Sequence, residues 1–306
     1  MTGSEKKWTP TWSLATALYV TVDDLLKAHP EITPPRPRVG ICPRTSDAEI
    51  ITLAVMQALL GHTSERRWLR HARKHYRGMF PHLPGQSGWN KRLRALTSTM
   101  SWVITALARA TSIFDDTLWL ADSTPIECAR SRPTVRRSQM AGWAEYGYCA
   151  SHSRYFWGLR LHLVATPHGL PIAWAVTGAK TDERDVLAGL LDHLEPHLHQ
   201  VLAADKGYRS TDLETELTRA GITLLRPAAR NESTRPGATA LKKVRQVIES
   251  IFDTLKDQLD LERHKGRTPT GVAARITQRV LALTTAIWHN DLIGAPTLRS
   301  LTPYDH

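Results

Sequence analysis

The sequence predicts an α/β protein, a mixed sheet flanked by helices and preceded by an all-helical region. Three observations predict it. Up to about residue 113 the apolar positions recur at helical spacing. From Thr117 onward, short apolar runs alternate with helical stretches. Two of those runs end on an aspartate, Leu118–Ala121 on Asp122 and Val201–Ala204 on Asp205, and a third acid, Glu249, lies inside a later helical stretch, 241–259.

In the first region, residues 13–28 place Leu14, Leu18, Val22, Leu25 and Leu26 one helical turn apart. Thr33-Pro34-Pro35-Arg36-Pro37-Arg38 then reads as a linker or extended arm. Ser46 with Glu49 three residues on is a capping box, opening a helix that stops at Gly61. A second, strongly basic helix is expected over about 64–78, and a third from Ser87 through Leu93, Leu96 and Trp102 towards Ile113.

Charge concentrates here. Between Gly61 and Arg94 stand nine basic residues (Arg66, Arg67, Arg70, Arg73, Lys74, Arg77, Lys91, Arg92 and Arg94) against one acid, Glu65, with Trp68, Tyr76 and Trp89 interleaved. Like charges this dense repel unless a polyanion offsets them. A DNA-binding face is therefore favoured over a solvated basic surface, in a helix-turn-helix type of arrangement.

The second region begins with a short strand, 118–122, and a long basic connection. Phe156 to Thr166 alternates, with Trp157, Leu159, Leu161 and Leu163 on one face and Arg160 and His162 on the other. A turn at His168-Gly169 and the apolar run Leu170 to Thr177 complete a hairpin. Helix over 182–194, strand over 201–204, helix over 211–220, strand over 222–225 and the helical stretch of Glu249 follow. Three strands, then helix and strand in alternation, is the ribonuclease-H-like order. In it the first acid ends the first strand, the second ends the fourth, and the third sits on the helix after the fifth. Two domains are expected, a DNA-binding region over 1–113 and a catalytic domain with a C-terminal helix over 114–306.

Composition narrows the partner. Forty Lys and Arg against 29 Asp and Glu give a net charge of +11, which points to a polyanion. No apolar run approaches a membrane span, and MTGSEKKWTP lacks a signal-peptide core, so no membrane partner is expected and the cytoplasm is. Cys42, Cys128 and Cys149 are widely spaced and include no CxxC pair, which fits a reducing compartment.

Each acid by itself also has a plain structural reading: an Asp after a strand caps a turn, and a Glu on a helix faces water. Their order is what suggests a site, since carboxylates at strand ends and on a nearby helix can hold divalent cations that activate water or a 3′-hydroxyl. On the third helix, Val244, Ile248, Ile251, Leu255 and Leu259 make one apolar stripe, while Arg245, Glu249 and Lys256 fall on another. Asp253 lies close to that second stripe and is the rival third acid.

Several segments resemble the DDE transposases of bacterial insertion sequences: SDAEIITLAVMQALLG, SGWNKRLR, LADSTPIE, YFWGLRLHLVATPHGLP, LAADKGYRS and LLRPAARNE. Arg245, Glu249 and Lys256 are similar to that family's Arg, three residues, Glu, six residues, Lys pattern, and the terminal WHN and YDH elements resemble one subgroup. Lys242 departs from it, standing where some relatives carry Tyr. The resemblance implies a metal-binding catalytic triad of Asp122, Asp205 and Glu249, with two Mg2+ ions for which Mn2+ can substitute. Lys206 and Tyr208 would shape the turn after Asp205, and Gly207 would relieve backbone strain there. Arg245 and Lys256 would contact DNA. The implied chemistry is hydrolysis at a transposon end followed by transfer of its 3′-OH to target DNA. The implied partners are double-stranded DNA, both terminal repeats and target, and a second copy in a homodimeric synaptic complex. Two readings stay open beside it, a ribonuclease-H-like nuclease without strand transfer and a catalytically silent DNA-binding derivative.

Overall fold

Helix α1 (Pro10–Ala28) buries Leu14, Leu18 and Val22, the stripe that its spacing marks. In this computed structural model the described residues are 10–35, 42–149, 153–228, 232–233, 235 and 238–304, with backbone alone for 238–240 and 242. The arm expected at 33–38 lies outside them beyond Pro35. Helix α2 (Asp47–Leu59) starts at a complete capping box, Ser46 with Glu49. It ends before Gly61, whose φ of +64° is a left-handed conformation that glycine adopts without strain. Helix α3 (Glu65–His75) turns only Trp68, Leu69 and Ala72 inward. Helices α4 (Gln86–Ala95) and α5 (Thr97–Arg109) replace the single helix expected from Ser87 to Ile113. The break falls at Leu96; the Thr97 hydroxyl donates back to Arg94 O at 2.9 Å, the kind of local bond that competes with the helical ladder.

Strand β1 (Leu118–Ala129) is twelve residues long and bulged between Glu127 and Ala129, so it runs well past the short strand expected at 118–122. Asp122 therefore sits within β1, not at its end. The chain continues through the short helix α6 (Arg132–Arg137), β2 (Glu145–Cys149), β3 (Arg154–Ala165) and β4 (Pro171–Gly178). Then come α7 (Glu183–Leu191), β5 (Gln200–Ala204), α8 (Thr211–Arg219), β6 (Ile222–Leu225) and α9 (Ala238–Asp253). The β3–β4 turn is closed by Thr166 N–H to Leu170 O, with Gly169 at φ +89°.

Strand β3 pairs antiparallel with β1 on one side and β4 on the other, while β5 lies parallel to β1 and β6 parallel to β5. The resulting order β4-β3-β1-β5-β6 is that of a ribonuclease-H-like sheet. Strand β2 is an addition, pairing with the first half of β3 where β4 does not reach. The two faces expected along β3 are present, but the polar one is not left to water: His162 is buried and Arg160 half-buried. Helices cover both faces. Burial pushes the His162 imidazole down to about 4, helped by the Arg160 charge, and it shares a 2.9 Å hydrogen bond with the Thr177 hydroxyl.

Beyond α9 the ladder passes into a π-helical turn, Thr254–Gln258, before helix α10 (Pro269–Leu292). By packing, the chain forms two units, Met1–Leu107 with Gln258–Lys265 and Ala273–His306, and Ala108–Asp257 with Gly266–Val272. Most of α10 thus packs with the N-terminal helices, although its place in the chain put it in the 114–306 region. Its polar side chains supply the reason. Gln278 Nε2 donates to Ala54 O at 2.7 Å, and Arg275 pairs with Glu65 and donates to Gln57. The WHN element and Tyr304 of YDH meet in the same unit, where Tyr304 donates to Asn290 Oδ1 at 2.6 Å and is 2.7 Å from His289 Nδ1. Asp305 and His306 lie outside the described residues.

Candidate active site

The site is set by strand register. Ala121 of β1 pairs with Ala204 of β5. The next residue on each strand is an acid, so Asp122 and Asp205 come side by side, one inter-strand spacing (~4.8 Å) apart in backbone. Both are on the sheet face that α9 covers. Its Leu241, Val244 and Ile248 pack there, and Arg245 and Glu249 line one small pocket with Asp122 and Asp205. Asp253 and Lys256 are not in that lining. Lys256 falls in the π-helical turn, where the wider winding takes it off the 3.6-residue stripe expected to join it to Arg245 and Glu249.

Asp122 keeps some exposed surface, yet its carboxyl is crowded by protein atoms. This desolvation is the main reason its pKa rises from 3.8 to about 7, and the Glu183 and Asp205 charges add to it. The Ser123 N–H, 2.7 Å from Oδ1, and the Arg245 guanidinium pull the other way. Arg245 itself sits 3.7 Å from Asp205 Oδ1, and the same oxygen accepts from the Lys206 N–H at 2.6 Å. Lys206–Tyr208 is a short 3-10 turn capped by Asp205. Gly207 is not among the residues at positive φ, and a Cβ there would meet nothing closer than Glu183 Oε2 at 3.9 Å; the expected strain relief is absent. Tyr208 is buried and its phenol pKa raised, first by burial and then by Glu183 and Asp122.

Sequence reading missed three residues. On the opposite face of β1, Ser123 Oγ donates to Glu183 Oε1 at 3.0 Å, and Arg160 Nη1 bonds both, at 2.9 Å and 2.6 Å. This trio backs directly onto Asp122. Glu183 was hidden among the acids Asp182 and Asp185 of a helix N-terminus, and Arg160 by its place on the polar face of an alternating strand. Asp182 does act as the cap, accepting from Arg184 N–H at 2.9 Å.

Carboxylate oxygens are the hard donors that Mg2+ or Mn2+ takes. Among the described residues no three His, Cys, Asp or Glu side chains are gathered closely enough to hold an ion as they stand. Still, a crowded carboxyl with acids on two sides, neutralised in part by proton affinity and in part by a guanidinium, is an anionic site short of positive charge. Asp122 and Asp205 therefore fit a divalent cation.

In the other unit, Arg66, Arg67, Arg70, Arg73 and Lys74 are exposed on α3, Arg77 just after it, and Lys91 and Arg94 on α4. Arg73, Arg77, Lys91 and Arg92 share a cleft with Arg44 and His82, while Arg66, Arg67, Arg70, Lys74 and Arg94 lie outside its lining. Arg92 is half-buried and bonds Thr45 O and Asp47, both at 2.5 Å. The interleaved aromatics Trp68, Tyr76 and Trp89 belong to the core. The loop from 76 to 85 joining α3 to α4 is longer than a helix-turn-helix turn.

A family model described as a transposase DDE domain matches residues 113–285. No curated protein matches the chain. Among solved structures, the cryo-EM structure of a piggyBac transposase synaptic complex with hairpin DNA is similar over 98% of this chain and 79% of that one. Identity is 10% and the TM-score 0.49, too low to bear on any residue.

Proposed function

We infer the function from one premise: the chain belongs to the transposase DDE domain family, whose model spans more than half of it. It is a transposase. We propose that it binds the ends of an insertion sequence and carries out both cleavage and strand transfer at Asp122, Asp205 and Glu249. The observation that carries this is one pocket whose lining includes Asp122, Asp205, Glu249 and Arg245, the first two set side by side by strand register.

Asp122, Asp205 and Glu249 would hold the divalent cations this family generally uses. When bound, these supply Lewis acidity for the attacking water or 3′-hydroxyl and for the leaving oxygen. The chain's own part is placement. Asp122 is fixed by the Ser123 N–H and by the Arg160–Glu183–Ser123 trio behind it, and Asp205 by its own turn. Arg245 brings to the same pocket a guanidinium, whose planar fork matches phosphate oxygens, and so positions the scissile phosphate. The exposed arginines of α3 would dock duplex DNA through its phosphates.

The test is cleavage of duplexes carrying the DNA that flanks the gene, with Mg2+, Mn2+ or EDTA. Expected are a metal-dependent 3′ nick and a joined product on added target. Nicks without joining would make the protein a nuclease alone, and binding without nicks a silent derivative.

A further inference from the structure

Three of the largest exposed apolar side chains stand together on the β2–β3 hairpin: Tyr146 is 51% exposed, Tyr148 48% and Tyr155 78%. Register puts them on one face. Tyr148 pairs with Tyr155 and Tyr146 with Trp157, and directly paired residues point the same way. The Tyr148 and Tyr155 rings are 5.1 Å apart and tilted by 59°, a tilted aromatic contact that still leaves Tyr148 about half exposed and Tyr155 mostly so.

The hairpin's other face is firmly seated. Cys149, Phe156 and Ala179 form a buried cluster there. A Cβ added to Gly147 would meet Ala179 Cβ at 2.8 Å and the Phe156 ring at 3.1 Å, so the strand lies as close as a backbone can. Arg160 Nη2 donates to Tyr148 O at 3.3 Å, and Glu145 accepts from Lys180 N–H at 3.2 Å. A strand fixed this closely on one side while presenting three bare rings on the other is a rigid aromatic surface.

We propose that Tyr146, Tyr148 and Tyr155 form a stacking platform for the bases of an unpaired DNA strand. The inference rests on the DNA-processing function proposed above. Charge selects the partner: the connection from Arg130 to Ala144 carries Arg130, Arg132, Arg136 and Arg137 with no acid, and Arg154 stands beside Tyr155. Both Arg130 and Arg154 lean on the single carboxylate of Glu127, at 3.2 Å and 3.8 Å. Rings selected among cations suit a polynucleotide with exposed bases, because each base offers a π-face and each phosphate a charge. An intact duplex keeps its bases stacked internally and offers no free base face to these rings.

Location gives the platform a place in the reaction. Along β3, Tyr155, Trp157, Leu159, Leu161 and Leu163 share one face, and Leu163 pairs with Asp122. The tyrosines are thus on the same sheet face as the acids, eight residues along the strand, or about 26 Å. At ~3.4 Å per stacked nucleotide that is about eight nucleotides from the reacting phosphate. Strand separation beside the cleaved end would deliver bases to that distance.

The test uses the full chain in EDTA, so that it does not depend on turnover. Binding of a fluorescein-labelled single strand and of its duplex is measured for the wild type, Tyr148→Ala, Tyr155→Ala and the matching Tyr→Phe variants. A strand carrying 2-aminopurine reports stacking by fluorescence quenching. Expected is a loss of single-strand affinity of about ten-fold per alanine, recovery in the phenylalanine variants, quenching in the wild type alone among wild type and alanine variants, and unaltered duplex affinity. Equal single-strand affinity across all variants, or absence of quenching in the wild type, overturns the platform. So does a shift from dimer to monomer in sedimentation caused by the alanine variants, which would make the patch a protein interface. A wild type that binds neither single strand nor duplex overturns the DNA reading itself, a result distinct from these.

Discussion

Asp122 should make the metal-free protein less stable as the pH rises, and its replacement by Asn should remove that dependence. The carboxyl is raised from 3.8 to about 7 in the folded chain, so folding binds its proton more tightly than unfolding does. Stability is therefore lost as pH climbs through the interval between the two values, and stays reduced above it. Three units at 1.36 kcal/mol each set a ceiling of about 4 kcal/mol, of which about 2–3 kcal/mol should develop between pH 5 and pH 8. Asn keeps the shape and has no charge to desolvate. Urea unfolding in EDTA at pH 5, 6, 7 and 8 reads the effect, because other titrating groups are common to both proteins and cancel in the difference. With a urea slope of 1–3 kcal/mol per molar, the wild-type midpoint should fall by about 1 M relative to Asp122→Asn. Adding Mg2+ should recover stability in the wild type above pH 7, by about 2.7 kcal/mol at one hundred times its Kd, and not in the variant. Parallel pH profiles for the two proteins would refute the reasoning: Asp122 would then not be a carboxyl crowded by its neighbours and waiting for a cation.

Asp122→Asn, Asp205→Asn and Glu249→Gln should each abolish cleavage and transfer while end binding in gel shift stays within a few-fold; activity surviving Glu249→Gln but not Asp253→Asn would reassign the third acid. Arg245→Ala should slow strand transfer on the order of 100-fold, as a misplaced phosphate would, with a melting temperature close to wild type because its ion pair is half exposed. The same change at Lys256, outside the pocket lining, should have a smaller effect on rate. Replacing Arg66, Arg67 and Arg70 by Ala should flatten the log–log salt dependence of end binding by about 0.9 for each phosphate contact removed; an unaltered slope would move the DNA face elsewhere. A fragment ending near residue 113 should fail to unfold cooperatively, since it lacks the part of α10 whose Gln278 and Arg275 bond α2 and α3.

Much of the catalytic half was legible because its signals are local. An apolar run closing on Asp, LADS or LAAD, marks a buried strand reaching a polar place, and Gly169 marks a turn that needs positive φ. The capping box at Ser46 reads correctly for the same reason, its partners being three residues apart. Where a pattern has two physical causes, sequence chose the commoner one. Arg160 and His162 alternate with leucines as on a half-solvated strand, but that face is covered: Arg160 bonds Glu183 of α7 and His162 Nε2 the Thr177 hydroxyl of β4. The aromatics among the α3 and α4 arginines looked like part of a binding face and are instead the inner side of amphipathic helices.

The sequence by itself determined which residues could do chemistry and in what order the chain carries them: two acids closing apolar runs, a third on a later helix, and a basic helical region before them. Periodicity and local bonds depend on residues within a few positions of one another, so one chain suffices to read them. The tertiary structure alone decided what depends on distant segments: the register that sets Asp122 against Asp205, the Ser123, Arg160 and Glu183 trio behind it, and the π-helical turn that carries Lys256 away. It also decided that most of α10 packs with helices more than two hundred residues earlier in the chain. Burial and charge are properties of a place in space. The rise of Asp122 to about 7 comes from atoms that only folding brings around it.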